Sequence, residues 1–268
     1  MTATHTDLDL PRRAAKPRST GLTMVIDGGL PLGHFRDVMT SHADLIDLVK
    51  FGWGTAVVSS HLDAKIATLQ HLGIGFFFGG TLLEKHVAQG RFPEYVQFLR
   101  DHECELVEVS DGTLPMRQGE KASYIRTLAG EFVVLAEVGF KQPDRNDTLT
   151  PADWGRAARA DLDAGASLVI TESREAGNTG LAGRDGRCRD DIVDAILATG
   201  ITADQLLFEA PTKTMQAHLV ERLGPNVNLG NIAASDVVGL ETLRLGLRAD
   251  TFHCFEPLSM MGSLPEAV

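Results

Sequence analysis

The sequence is poor in the features that would place it outside the ordinary globular proteins. Cysteine is scarce: Cys104, Cys188 and Cys254 are the only three in 268 residues, they lie far apart, and no CxxC pair occurs. An odd set of separated thiols excludes a disulfide framework and a cysteine-rich zinc site, and points to a reducing compartment. No run of about 18 apolar residues exists, so no membrane-spanning helix is expected. Arg12-Arg13 is not followed by an apolar stretch, which removes Sec and twin-arginine signals and leaves the cytoplasm as the expected location. Positive charge is also in short supply, with 25 Lys and Arg against 36 Asp and Glu, a net charge of −11. That field repels nucleic acid and anionic membrane surfaces. A small anionic substrate remains compatible if local lysines, arginines or a bound cation reverse the sign inside a pocket. Finally, no GxGxxG follows the first apolar run, so a dinucleotide fingerprint is missing.

What is present is the balance of a globular domain, 43% hydrophobic and 23% charged, at the usual size of one α/β barrel. Residues 1–20 are polar, carry Pro11 and Pro17, and read as a flexible arm. Beyond them, short apolar runs alternate with stretches of helical spacing. Strands are expected at 22–27, 45–51, 75–78, 106–110, 132–138, 168–171, 206–209 and 226–229, recurring roughly every 29 residues, a normal length for a βα unit. Thr150-Pro151-Ala152-Asp153 supplies a cap, a first-turn proline and a first-turn acid. Ser60 opens a helix carrying Leu62, Ile66 and Leu69, which stops at Gly73. Met215, Leu219 and Leu223 share a face before Gly224. Eight units without a linker predict a single-domain (β/α)8 TIM barrel over 21–252, with a tail at 253–268. A doubly wound open sheet is the alternative.

A barrel gathers its chemistry at the carboxyl ends of its strands. Polar residues concentrate there: Asp27, Lys50, Gly79-Gly80-Thr81, Glu108, Ser110, Asp111, Glu137, Lys141, Glu172, Arg174, Glu175, Glu209, Asn228 and Asn231. Converging carboxylates repel one another unless a cation is present, and hard oxygen ligands suit Mg²⁺ or Mn²⁺ rather than zinc. Taken singly, each residue has a plainer explanation. Asp27 before a glycine pair is a turn residue, and Glu108 inside its strand is a partner for Lys50. The nine histidines serve surface and packing. Asp161, Asp163, Asp190 and Asp191 read as solvated helix faces.

Several colinear segments carry a resemblance. Lys50-Phe51-Gly52-Trp53-Gly54-Thr55, Gly79-Gly80-Thr81-Leu82, Glu108-Val109-Ser110-Asp111-Gly112-Thr113, Glu137-Val138-Gly139, Phe208-Glu209-Ala210-Pro211 and Asn228-Leu229-Gly230-Asn231-Ile232 are among them, as is 240–248. In these segments the chain resembles the phosphosulfolactate synthase family from about Gly21 to Phe252. Phe76-Phe77-Phe78 and Leu114-Pro115-Met116 favour its bacterial branch. That branch is related to the archaeal enzyme of coenzyme M synthesis and to a plant heat-stress-associated homologue. The resemblance implies a barrel and a Mg²⁺-dependent addition of sulfite to phosphoenolpyruvate, giving (2R)-phospho-3-sulfolactate, with homo-oligomerisation left open. Sulfite adds to C3, charge moves onto C2 and the carboxylate, and an acid protonates C2. Lys141 resembles the family's proposed acid, with Arg174 beside it in the catalytic set. Glu137 and Glu172 are the first metal ligands expected, then Asp111 and Glu209. Lys50, Lys213, Arg174, Thr81, Asn228 and Asn231 are the expected contacts to the anionic substrates.

Departures exist. Gly28 and Phe140 stand where archaeal relatives carry lysines, and Ser173 and Ala176 are exchanged relative to the usual loop. Two other functions fit some of these residues: another metal-dependent lyase or isomerase for a small phosphorylated carboxylate, and a non-catalytic stress-protective barrel. Lys141, Glu137, Glu172 and Arg174 together favour an enzyme, since a scaffold needs none of them.

Overall fold

The structure is a computed structural model and describes residues 7–255, apart from 118 and 175; the end of the expected tail, 256–268, and Glu175 of the strand-end set lie outside the described residues. Eight strands form one parallel sheet: β1 (Thr23–Asp27), β2 (Leu48–Phe51), β3 (Gly75–Phe78), β4 (Leu106–Val109), β5 (Val133–Val138), β6 (Leu168–Thr171), β7 (Leu206–Glu209) and β8 (Leu229–Ile232). Their spatial order is β3-β2-β1-β8-β7-β6-β5-β4, so the sheet rolls up with β3 and β4 as its two edges. Helices follow the strands and cover the outside, which is the expected (β/α)8 barrel. Backbone closure is incomplete, because no ladder among the described residues joins β3 to β4. Side chains bridge that seam instead: Glu108 accepts the Gly80 amide at 2.7 Å, and the Cys104 thiol lies 3.5 Å from the Phe76 carbonyl.

The helix signals act as read at Thr150, Gly73 and Gly224, and fail at Ser60. Thr150 caps Pro151–Asp163, its hydroxyl accepting the Asp153 amide while the Asp153 carboxylate accepts the Thr150 amide at 2.8 Å. Gly73 ends Leu62–Leu72 at φ 63°, the left-handed conformation that glycine adopts freely. His61, not Ser60, occupies the cap position of that helix.

Strand 8 lies three residues beyond its expected place. Asn228, expected at its end near the substrate, instead sits before its start. Its amide donates to the carbonyls of Leu206 (2.9 Å) and Asp204 (3.2 Å), and its oxygen accepts the Leu22 amide at 3.0 Å. A side chain thus does the work of a ladder rung, while Gly230 and Asn231 gave the true strand a turn-like composition. The start of β2 moves likewise, because Asp47 accepts the Thr23 amide and pairs with Arg18 at 2.9 Å.

The segment expected to be a flexible arm is anchored over 13–18. Arg13 pairs with Glu241 at 3.1 Å and donates to the Gly21 and Pro225 carbonyls, and Lys16 donates to the Ala43 carbonyl. Arg244, fully buried, holds the carbonyls of Pro225, Val227 and Leu22. Carbonyls at the amino ends of strands need donors, and these guanidinium groups supply them.

Thiol chemistry gives a direct check on this packing. Cys104 is buried and Cys188 half-buried, and burial pushes both thiols up to about 12, whereas Cys254 is exposed. A thiolate-directed reagent should label Cys254 quickly in the native protein and all three cysteines after unfolding. Rapid native labelling of two or more sites would contradict the packing.

Candidate active site

The carboxyl end of the barrel holds an ionic cluster built from four strands and two loops. Lys50 rises from β2 and its ammonium contacts Glu108 of β4 at 2.8 Å, Glu137 of β5 at 3.1 Å and Glu209 of β7 at 3.2 Å. The Glu108–Lys50 partnership expected from the sequence is therefore present. Lys141, in the loop after β5, contacts Glu137 at 2.5 Å and Glu172, just past β6, at 3.0 Å. All four glutamates are at least 95% buried.

Burial and mutual repulsion decide the protonation behaviour. Burial pushes Glu108 up to about 7, against the pull of Lys50. Burial, with Glu137 second, raises Glu172 well above the usual carboxylate range, and burial raises Glu209 too. Glu137 moves the other way: burial opposes its charge, but Lys141 and Lys50 outweigh it and hold the group low. Both lysines are held above the ordinary lysine value, since their glutamate partners overcome desolvation. Two ammonium groups face four carboxyls, so the cluster is short of positive charge.

Glu137, Glu172 and Glu209 bring oxygens within 4.8 Å of one another, an all-oxygen set of the kind that hard divalent cations take. The cation-poor balance and the donor chemistry both fit such an ion. Above the cluster opens a cavity of about 320 Å³, lined in part by Lys50, Thr81, Lys141, Glu172, Arg174, Glu209 and Asn231. Arg174 stands at its rim and donates to the Lys141 carbonyl at 3.2 Å.

Three expected site residues do not join this group. Asp111 turns to Lys121 at 3.4 Å rather than to the other carboxylates. Lys213 begins the helix Lys213–Leu223 and pairs with Asp250 at 2.9 Å outside the cavity. Asn228 lies at the opposite end of the barrel, as described above. Asp27 is a turn residue, accepting the Gly29 and Leu30 amides, and it also pairs with Lys65.

Other residues escaped the sequence. Glu84, buried on the helix Gly80–Ala88, accepts hydrogen bonds from the Ser110 hydroxyl and the Thr113 and Leu114 amides, and so fixes the loop after β4. A charge directly after Leu82-Leu83 was its only signal. Lys121 donates to the Glu137 carbonyl at 2.6 Å and to Asp161 at 2.7 Å, bracing β5 from behind. Asp161 is consequently buried rather than solvated. Trp53, Thr113 and Gln142 also line the cavity. Trp53 lies in the left-handed region at φ 49°, with its ring edge against Gly28. Cations stand close to both departures from the archaeal pattern: Lys65 pairs with Asp27, next to Gly28, and the Arg145 guanidinium lies 3.7 Å above the Phe140 ring.

Comparison with known proteins places the chain in a family. The family model described as (2R)-phospho-3-sulfolactate synthase (ComA) matches residues 11–250. The chain is 47% identical over 245 residues to the phosphosulfolactate synthase of Bacillus subtilis, covering 91% of this chain and 97% of that protein. It is 39% identical over 249 residues to the phosphosulfolactate synthase of Methanothermobacter thermautotrophicus, covering 91% and 96%. Among solved structures, the YdjI aldolase of Escherichia coli superposes with a TM-score of 0.54 at 12% identity, over 91% of this chain and 92% of that one, a likeness of fold alone. With a family match across nearly the whole barrel and strong identity to curated members, the chain belongs to the (2R)-phospho-3-sulfolactate synthase family.

Proposed function

We propose that this protein is a phosphosulfolactate synthase, a lyase that adds sulfite to phosphoenolpyruvate in the presence of Mg²⁺ and yields (2R)-phospho-3-sulfolactate. The observation that carries the reading is Lys141, an ammonium fixed between Glu137 and Glu172 on the cavity wall of a chain of this family. Phosphoenolpyruvate and sulfite bring several negative charges. Arg174 and Lys141 face them, and Gly80 and Thr81 of the first turn of Gly80–Ala88 line the same cavity.

The sulfur lone pair of sulfite forms a bond to C3, and the C2–C3 π electrons move onto C2 and the carboxylate. A carbanion of that kind is far more basic than an amine, so proton transfer from Lys141 to C2 is downhill even though Glu137 and Glu172 hold the ammonium strongly protonated. The phosphate ester stays intact, and the amine regains its proton from water. Glu137, Glu172 and Glu209 would hold Mg²⁺, which when bound supplies positive charge for the developing enolate. A protective barrel without catalysis gives no reason to bury four glutamates around two lysines, an arrangement that is costly to desolvate.

No described helix is long and apolar enough to cross a membrane. Cytoplasmic location, homo-oligomerisation and delivery of product to coenzyme M or sulfolactate synthesis belong to this proposal.

Incubation with phosphoenolpyruvate, sulfite and Mg²⁺, followed by mass analysis, should reveal a product heavier than phosphoenolpyruvate by one sulfite plus a proton. Excess chelator should abolish its formation and Mg²⁺ should restore it. Full activity under chelation would overturn the metal assignment, and absence of the product would overturn the reaction.

A further inference from the structure

Asn231 has a feature that the proposed reaction leaves unused. It is 5% exposed, lines the cavity and adopts φ 55°, a left-handed conformation that asparagine tolerates better than most residues. Its amide nitrogen donates to the Ser173 carbonyl at 2.8 Å and lies 3.4 Å from a Glu209 carboxylate oxygen. Those two acceptors set the orientation of the group, because a flipped amide would turn its oxygen toward both of them. The remaining atom, Oδ1, is buried and has no hydrogen-bond partner among the described residues. Burying a carbonyl oxygen without a partner is costly, so a cation, a donor or a water held in the cavity would complete it.

The chemistry of that counterpart is restricted. Ionised phosphoenolpyruvate and sulfite present acceptor oxygens, not donors, and cannot satisfy a carbonyl. A divalent cation or one of its water molecules can. Asn231 also sits beside Glu209, one of the three carboxylates whose oxygens converge.

We propose that Asn231 Oδ1 is a neutral oxygen ligand of the divalent cation held by Glu137, Glu172 and Glu209, acting directly or through a coordinated water. The proposal rests on the metal reading above. A neutral ligand has a specific advantage in this place: it completes coordination without adding a fifth negative group to a cluster already short of positive charge.

The test is Mn²⁺ binding in the absence of substrate, followed by electron paramagnetic resonance of the free ion and by calorimetry. Asn231→Gly adopts the left-handed backbone without strain but loses the bond to the Ser173 carbonyl, so its melting temperature should fall by only a few degrees and the protein should stay folded. Its Mn²⁺ dissociation constant should rise about tenfold or more, the usual scale for removing a supporting ligand. Asn231→Asp keeps an oxygen and adds charge, so it should bind Mn²⁺ at least as tightly as the wild type. Wild-type affinity in Asn231→Gly, or weakened affinity in Asn231→Asp, would overturn the proposal while leaving the carboxylate site standing. Failure of the wild-type protein to take up Mn²⁺ would remove both.

Discussion

Replacing Lys141 by alanine should lower turnover by about 10²–10⁴ and leave the KM for phosphoenolpyruvate nearly unchanged, the signature of losing a positioned acid rather than a binding contact. The geometry makes the expectation specific. The ammonium is held by two carboxylates from neighbouring strands, and little of its side chain reaches solvent. If Lys141 only held phosphate, KM would rise while turnover stayed within a few-fold. Lys141→Arg separates the two roles again. A guanidinium can replace a phosphate contact, but its longer, planar fork does not put a proton where the Lys141 ammonium sits between Glu137 and Glu172, so it should not rescue turnover. Alanine and arginine variants that both keep wild-type turnover and affinity would show the residue to be a bystander.

The second large effect concerns Lys50. It is the common partner of Glu108, Glu137 and Glu209, and replacing it with methionine leaves buried carboxylates without their counter-ion. Removing one member of a buried ionic group costs about 3–5 kcal/mol, so urea unfolding at pH 7.5 should show a loss of that order. The pH dependence has a definite sign. Glu108 already titrates near 7 in the native protein, above the unfolded glutamate value, and losing Lys50 moves it further up. The native state then binds more protons than the unfolded state, so stability rises as pH falls from about 7 toward the ordinary glutamate range. The variant should therefore regain part of its stability near pH 5.5. Adding Glu108→Gln should restore part of it at pH 7.5. A loss below about 1 kcal/mol, or one independent of pH, would mean that water and backbone donors already neutralise the cluster.

Much of this molecule was legible because its periodicity is strong and barrel geometry is restrictive. Lys50, Glu137, Lys141, Glu172 and Glu209 stand at or just beyond strand ends, and the barrel converts that position into proximity. What could not be read depends on long-range partners. Nothing around Asp111 or Lys213 foretells Lys121 or Asp250, and these pairings take them out of the expected set. Asn228 was misplaced because Gly230 and Asn231 disguise β8 as a turn, a cavity-lining residue overriding strand propensity. Arg13 and Arg18 looked like the charges of a solvated arm, yet they are almost fully buried against the barrel floor. Composition does not distinguish a guanidinium in water from one that satisfies carbonyls.

The seam between β3 and β4 gives the charges at the active end a second consequence. Unpaired strand edges invite pairing with another chain, and proteins often block them with inward-pointing charged side chains. Here the two edges face each other, with Lys50 on the strand beside one and Glu108 on the other, and the Glu108 carboxylate ties β4 to the Gly80 amide at the start of the helix that follows β3. The same buried ions that shape a site for anionic chemistry also fasten the two unlaced strands to each other's neighbours, where backbone hydrogen bonds do not.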